Sequence, residues 1–302
     1  MTLEDASAGP PPVRISLPAL RDDQVPQVEE LRKLLSAEDV LKARPDASEQ
    51  AVWSKDSTLQ RYMQARQWNL EKAHTMAVAT MTWRAQMKPQ QIEPQGLRAQ
   101  VNGKVYVPGC DAWGRPVIIF DSSKEEFSEG TEGQMRHLTY NMERAVHMLP
   151  RGVHRLVVFI KLGDFGLSTA PSTRATLETI NIVCNHYPER LGHCVIFQPP
   201  MLFTALWNLA CTVIDEVTKN KVVFVRGDTS EGSDNDKTLR SIVGPHWKTL
   251  IDEETGFNAE VYWERLLEED AAWRKPAENE EEPDALKLYA NEQQEADNLA
   301  VK

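Results

Sequence analysis

The residues best placed to do chemistry are Tyr187-Pro188-Glu189-Arg190-Leu191-Gly192 and, further along, Thr218-Lys219-Asn220-Lys221, which lead into the apolar run Val222–Val225. Each group sets charge or a hydroxyl at the edge of a hydrophobic, strand-like segment. A carboxylate, cations and a hydroxyl in that setting suit the holding of a polar, charged group, since charge-assisted hydrogen bonds contribute about 1.5–3 kcal/mol each. Between the two groups, Phe197-Gln198-Pro199-Pro200 and then Phe203-Thr204-Ala205-Leu206-Trp207 are too apolar for an ordinary surface connection. A strand, an apolar helix and a Thr/Lys pair feeding a second strand suit a pocket that takes up a lipid.

Nothing comparable supports catalysis. Ile160–Ser168 contains Gly163-Asp164-Phe165-Gly166, which looks like the magnesium-binding segment of protein kinases. The glycine-rich loop, the His-Arg-Asp segment and the Ala-Pro-Glu segment of a kinase are all missing. Arg226-Gly227-Asp228 reads as the exit from a strand, and the acid-rich loop Asp228–Asp236 lacks calcium-loop spacing. The seven histidines include no His-x-x-x-His or His-Glu-x-x-His, and no Gly-x-Ser-x-Gly elbow exists. No catalytic residue, metal ligand or cofactor is therefore assigned, and the chain reads as a non-enzyme.

The elements that must position these residues are of two kinds. Amphipathic helices are expected over Gln27–Leu41, Ser57–Arg66 and Leu70–Met87, the last capped by Asn69 and stopped by Pro89. From Val101 the period changes. Strands over Val105–Val107, Pro116–Phe120, Leu156–Ile160, Cys194–Phe197 and Lys221–Val225 alternate, after the first hairpin, with helices over Gly133–Met148, Ser172–Asn185 and Leu202–Cys211. Short continuous apolar strands alternating with helices imply a mostly parallel sheet covered by helices. The division that follows is a flexible leader over 1–26, a helical unit over 27–100, an α/β domain over 101–262 and an acidic helix and tail over 263–302.

The 302 residues carry a net charge of -11, which argues against nucleic acid and against steady adhesion to anionic membranes. The acidic start Met1–Ala6, followed by Pro10–Pro12, holds no readable signal peptide, and the longest apolar run, Leu156–Ile160, is too short to span a bilayer. Cys110, Cys184, Cys194 and Cys211 lack Cys-x-x-Cys spacing and read as reduced thiols. A cytoplasmic, monomeric protein that visits membrane surfaces transiently is the expectation.

Four landmarks carry a resemblance to a known family. They are Leu59–Ala73 running on to Trp83-Arg84, then Asp111-Ala112-Trp113-Gly114-Arg115-Pro116-Val117, then Tyr187–Gly192, then Ile214-Asp215-Glu216-Val217-Thr218 with Lys221. In this order and spacing they resemble the CRAL-TRIO lipid-binding family, in particular its phosphatidylinositol-transfer branch. The resemblance implies a helical subdomain, a sheet with covering helices and a mobile gate helix over Pro200–Thr212. It implies phosphatidylinositol as ligand, exchanged at membranes or presented to a lipid kinase. It places the headgroup on Arg66, Glu189, Thr218 and Lys221, with Asp215 and Arg190 as weaker partners, and the pocket and gate on Phe197, Phe203, Leu206 and Trp207. Two acyl chains leaving a bilayer for water would cost on the order of 20 kcal/mol, at about 0.8 kcal/mol per CH2, so the pocket must be nearly as apolar as the membrane. Leu156, Val158 and Ile160 join the expected lining, although a plain core would use the same residues. Two positions depart from the family. Gln67 stands where phosphatidylinositol-binding members often carry a second basic residue. Arg155–Val157 lacks the Ser and Thr of members that also take phosphatidylcholine. A sterol, tocopherol-like or haem carrier, or an adaptor that uses the same fold, remains the alternative.

Overall fold

The computed structural model describes residues 15–37, 52–124, 130–163, 165–166, 169–253 and 256–274. Among the described residues three helices come first: α1 (Val25–Leu35), α2 (Asp56–Ala65) and α3 (Leu70–Met87). They bury Val28, Leu31 and Leu35 against Leu59, Tyr62, Met63, Ala73, Ala77 and Met81, the three- and four-residue spacings that one helix face requires. Asn69 caps α3, its side chain accepting from the Lys72 amide at 2.9 Å. Lys88 adopts a left-handed conformation at the other end, and Pro89 begins a separate turn.

Five strands follow: β1 (Val105–Cys110), β2 (Pro116–Asp121), β3 (Leu156–Lys161), β4 (Leu191–Phe197) and β5 (Val222–Val225). They lie side by side in chain order, antiparallel between β1 and β2 and parallel thereafter. The β1/β2 ladder slips between Tyr106 and Gly109, around Pro108, which has no amide hydrogen to donate. The longer helices between strands are α4 (Gly130–His147), α5 (Thr173–Asn181) and α6 (Phe203–Cys211). Right-handed crossovers between strands in chain order put all such helices on one face. Met135, Leu138, Ile182, Phe203 and Trp207 accordingly pack with Ile118, Leu156 and Ile196.

The other face meets the C-terminal part of the chain. There α8 (Asp234–Val243), α9 (Trp247–Leu250) and α10 (Ala259–Trp273) set Leu239, Ile242, Trp247, Tyr262 and Leu266 on Val117, Val157, Phe159, Val195 and Phe197; α7 (Glu216–Lys219) is a single turn before β5. Helix α10 runs through residues 262 and 263, so the division expected there falls inside one packed helix. Part of the expected leader is also docked. The Ile15 carbonyl accepts from the His154 amide, and the Pro18 carbonyl accepts from the Gln60 side chain at 2.7 Å. Residues 1–14 and 275–302, the rest of the leader and tail, lie outside the described residues.

The Asp111–Pro116 segment is a buried lock. Asp111 accepts from the amides of Trp113 and Arg115 and from Arg115 Nε at 2.7 Å, and Arg115 Nη1 meets His193 Nδ1 at 2.9 Å. A Cβ on Gly192 would lie 2.9 Å from Arg115 Nη1, so glycine at that point of β4 lets the guanidinium pass.

Three histidines are held neutral by burial. His137 is pushed down to about 3, and His154 and His186 to about 4, in each case mainly by burial, helped by nearby cations. Their pKa values in the fold lie below the unfolded value of about 6.5. Their stabilisation is therefore complete above that pH and lost as pH falls toward about 4, because the unfolded chain binds the protons first. We expect the melting temperature to fall between pH 6.5 and 4.5, with a shallower slope for His186→Gln, as measured by circular dichroism.

Candidate functional site

Between the sheet and α4, α5 and α6 lies a cavity of about 560 Å³, within the roughly 300–1,000 Å³ usual for small-molecule sites. Its floor is hydrocarbon: Leu156, Val158 and Ile160 from β3, and Leu191, Cys194 and Ile196 from β4. Helices α4 and α5 add Met135, Leu138, Met142, Ile180 and Val183. Phe203, Leu206, Trp207 and Ala210 of α6 close one side. Phe203 stands edge-on to Phe165 at 5.8 Å, and Trp207 edge-on to Phe224 at 5.1 Å. The Trp207 Nε1–H is buried without a hydrogen-bond partner.

Phe197 does not belong to this lining. Side chains alternate along a strand, so Cys194 and Ile196 face the cavity while Val195 and Phe197 face away. Phe197 sits 5.5 Å from Phe159 and 6.0 Å from Trp247, in the opposite core. The same alternation corrects the reading of Arg155–Val157. Val157 is in the opposite core, Arg155 is buried beside the turn before β4, and the β3 residues that meet the cavity are Leu156, Val158 and Ile160.

Arg66, Glu189, Arg190, Asp215, Thr218 and Lys221 all border the cavity, at the end where β4 and β5 begin. Arg66 leaves the C-terminus of α2, and its Nη2 donates to Asn185 Oδ1 at 3.2 Å. Asp215 caps α7, accepting from the Thr218 amide at 2.9 Å and the Thr218 hydroxyl at 2.8 Å. Burial would raise the Asp215 carboxyl, but these bonds and the nearby Lys221 outweigh it and hold it below the usual range. The Cys184 thiol lies in the same field. Burial, with Asp215 adding to it against Lys221 and Arg66, pushes it up to about 11. A five-residue π turn, Ile182–His186, ends α5 and places Cys184 on the cavity while Asn185 reaches Arg66.

Glu189 and Arg190 occupy a pinned turn. Glu189 has φ +59, a left-handed backbone uncommon outside glycine. Arg155 Nη1 donates to its carbonyl and, at 2.7 Å, to its carboxylate. Arg61 holds the Pro188 carbonyl at 3.2 Å, and Tyr187 donates to Glu143 at 2.6 Å. Glu143 is paired in turn with Arg84 at 2.7 Å. The Arg190 guanidinium donates to the His154 carbonyl at 3.2 Å and lies among Arg61, Tyr62, Glu143 and Arg155. Burial lowers its pKa well below the ordinary value. Arg190 braces the turn and, with Arg66, Glu189, Asp215, Thr218 and Lys221, borders the cavity. Gln67, singled out from the sequence, borders it too, and so does Gln64, which was not expected.

Among the described residues no cluster of three or more His, Cys, Asp or Glu could hold a metal, and no helix is long and apolar enough to cross a membrane. Cys184, Cys194 and Cys211 are free thiols.

A largely apolar cavity with a charged rim, set between the sheet and its covering helices, is the site of this α/β fold. The profile of the CRAL/TRIO domain matches residues 100–242 and that of the CRAL/TRIO N-terminal domain residues 27–78, and the chain belongs to this family. It is similar to the phosphatidylinositol transfer protein PDR17 of Saccharomyces cerevisiae, 26% identical over 195 residues, which are 60% of this chain and 55% of that protein. A CRAL-TRIO domain-containing protein of Schizosaccharomyces pombe is 27% identical over 174 residues, 57% of this chain and 17% of the relative. Protein real-time of Drosophila melanogaster is 25% identical over 261 residues, 79% of this chain and 38% of the relative. The chain thus spans about half or less of the length of these relatives. The crystal structure of Sfh5 superposes with a TM-score of 0.61 at 14% identity, covering 85% of this chain and 99% of that one, a likeness of fold.

The two faces of β4 make separable demands. Phe197→Ala should lower stability to urea by about 3–5 kcal/mol, the usual cost of truncating a buried phenylalanine. The amount of lipid bound per folded molecule should stay unchanged by mass spectrometry of the lipid extract.

Proposed function

We propose that the protein extracts phosphatidylinositol from membranes into this cavity and exchanges it or presents it for modification. The observation that carries the reading is the gathering of Arg66, Glu189, Thr218 and Lys221 at one rim of a hydrocarbon-floored cavity. Guanidinium and ammonium groups suit the phosphodiester, and the carboxylate and hydroxyl suit the ring hydroxyls. The similarity to a phosphatidylinositol transfer protein supports the same ligand. The Glu189 carboxylate is held in place by Arg155, which limits the ordering it must undergo on binding. The β3 floor offers no hydroxyl, which disfavours phosphatidylcholine as second ligand. Lys221→Ala with Glu189→Ala should abolish transfer of labelled phosphatidylinositol between vesicles per folded molecule, and because Glu189→Ala also removes the carboxylate partner of buried Arg155, folded protein is checked first by circular dichroism. Phosphatidylcholine transfer should be weak or absent in the parent; wild-type phosphatidylinositol transfer by the double variant would remove these two residues from the headgroup site.

Helix α6 is the gate in this reading. Its inner face covers the cavity with Phe203 and Trp207, while Met201, Leu202, Val213 and Val217 around it are exposed, Met201 at 80%. Opening in water exposes apolar surface at about 25 cal/mol per Å², a penalty that contact with lipid removes. The membrane thereby shifts the population toward the open state. Phe203→Asp with Trp207→Asp should slow vesicle-to-vesicle transfer far more than it changes the lipid already bound. An unchanged rate would mean that lipid enters elsewhere.

A further inference from the structure

A second hollow, of about 450 Å³, adjoins the rim between α3 and the end of α5. Its polar lining is Arg66, Glu71, Lys72, Thr75, Asn181 and Asn185, joined by His186. Glu71, Lys72, Thr75 and Asn181 are exposed, so the hollow opens to solvent. Among the described residues, Arg66 is the one that lines both this hollow and the hydrocarbon cavity. The π turn explains how a single segment walls two spaces: Val183 and Cys184 border the cavity, while Asn185 and His186 border the hollow.

The wall is tied together by hydrogen bonds. Arg66 Nη2 donates to Asn185 Oδ1 at 3.2 Å, and Asn185 Nδ2 donates to Asn181 Oδ1 at 2.7 Å. The Thr80 hydroxyl gives its one proton to the Asn185 carbonyl at 3.1 Å. It therefore accepts from His186 Nδ1, also 3.1 Å away, which leaves Nε2 of the neutral ring as an acceptor. The ring is held flat on Trp83, with centroids 4.2 Å apart.

The donors and acceptors on this wall are mixed. Arg66 and Lys72 bring positive charge, and the bonds of Arg66 to Asn185 and to the Ala65 carbonyl use two of the five N–H groups of a guanidinium. Two cations suit a phosphate. The Glu71 carboxylate repels a bare anion but accepts from hydroxyl groups, and the Asn181 amide and Thr75 hydroxyl serve hydroxyl groups equally. An apolar molecule satisfies none of these groups, and a plain inorganic ion satisfies only the cations.

We propose that this hollow is a second binding site, for a polyhydroxylated phosphate of the inositol phosphate kind, set back to back with the cavity rim across Arg66. The site does not depend on which lipid fills the cavity. A dissolved sugar phosphate and a lipid headgroup at a membrane surface offer the same chemistry.

Lys72 and Asn181 border the hollow and not the cavity, and Lys221 borders the cavity and not the hollow, which separates the two sites. The test is titration calorimetry of the full chain carrying Lys221→Ala, which disables the rim, with inositol 1-phosphate and with inorganic phosphate. Inositol 1-phosphate should bind about three- to tenfold more tightly than inorganic phosphate, the value of one net hydrogen bond to the ring. Adding Lys72→Ala should weaken it about tenfold, and adding Asn181→Ala about threefold. Flotation with phosphatidylcholine vesicles carrying phosphatidylinositol tells the sources apart. Recruitment lost in Lys72→Ala assigns the site to a membrane headgroup; recruitment absent, or unmoved by Lys72→Ala, assigns it to a dissolved phosphate. No binding of inositol 1-phosphate, equal affinity for the two probes (an adventitious ion only), or binding unmoved by Lys72→Ala in the calorimeter would each overturn the proposal.

Discussion

The structure depends on a set of buried arginines that hold one turn. Arg61 comes from the N-terminal helices and Arg155 from the start of β3, and both end on carbonyls of Tyr187–Arg190. Arg84, also from the helical unit, reaches the same turn through Glu143 and Tyr187. Buried guanidinium groups lose their hydration on folding, so they demand fixed acceptors, and removing one partner of such a pair is strongly destabilising. The turn cannot relax without stranding them. The helical unit, the sheet and the cavity rim are thereby fixed in one geometry, and a left-handed glutamate is tolerated at Glu189 because its surroundings determine it.

From that constraint the division of the sheet follows. Strands in chain order with right-handed crossovers leave one face to α4, α5 and α6, and the other is left for the chain that comes after β5. The C-terminal face is filled by Trp247, Tyr262 and the aromatics around them, as a solid core. The crossover face is incompletely filled, and the shortfall is the cavity. One face supplies stability and the other can remain hollow. Phe203, Leu206, Trp207 and Ala210 of the short helix α6 close one side of the hollow.

Two motifs prominent in the sequence make structural ties. Asp111 and Arg115 turn inward to tie the β1–β2 hairpin to His193, and Gly192 makes room for that tie. Arg190 braces its own turn through the His154 carbonyl. Both ties lie beside the rim and hold its strands in place.

Much of this was legible in the chain alone. Periodicity located α3, the strands and α6 to within a few residues, because a helix stripe and a buried strand each write a short-range pattern. The residues of the rim were also legible, since Arg66, Glu189, Thr218 and Lys221 lie beside recognisable landmarks. Which way a side chain points was not. Phe197 and Ile196 are equally apolar neighbours, and only the register with β3 and β5 decides that one meets the cavity and the other Trp247. The partners of Arg155 and Arg61 were not legible in sequence because they lie 34 and 127 residues away. The polar hollow beside the rim was invisible for the same reason: Arg66, Lys72 and Asn185 converge only once the π turn packs on α3. Local pattern determined the elements and the kind of ligand they could hold. Long-range pairing, which no short window of sequence contains, decided which side chains share a cavity.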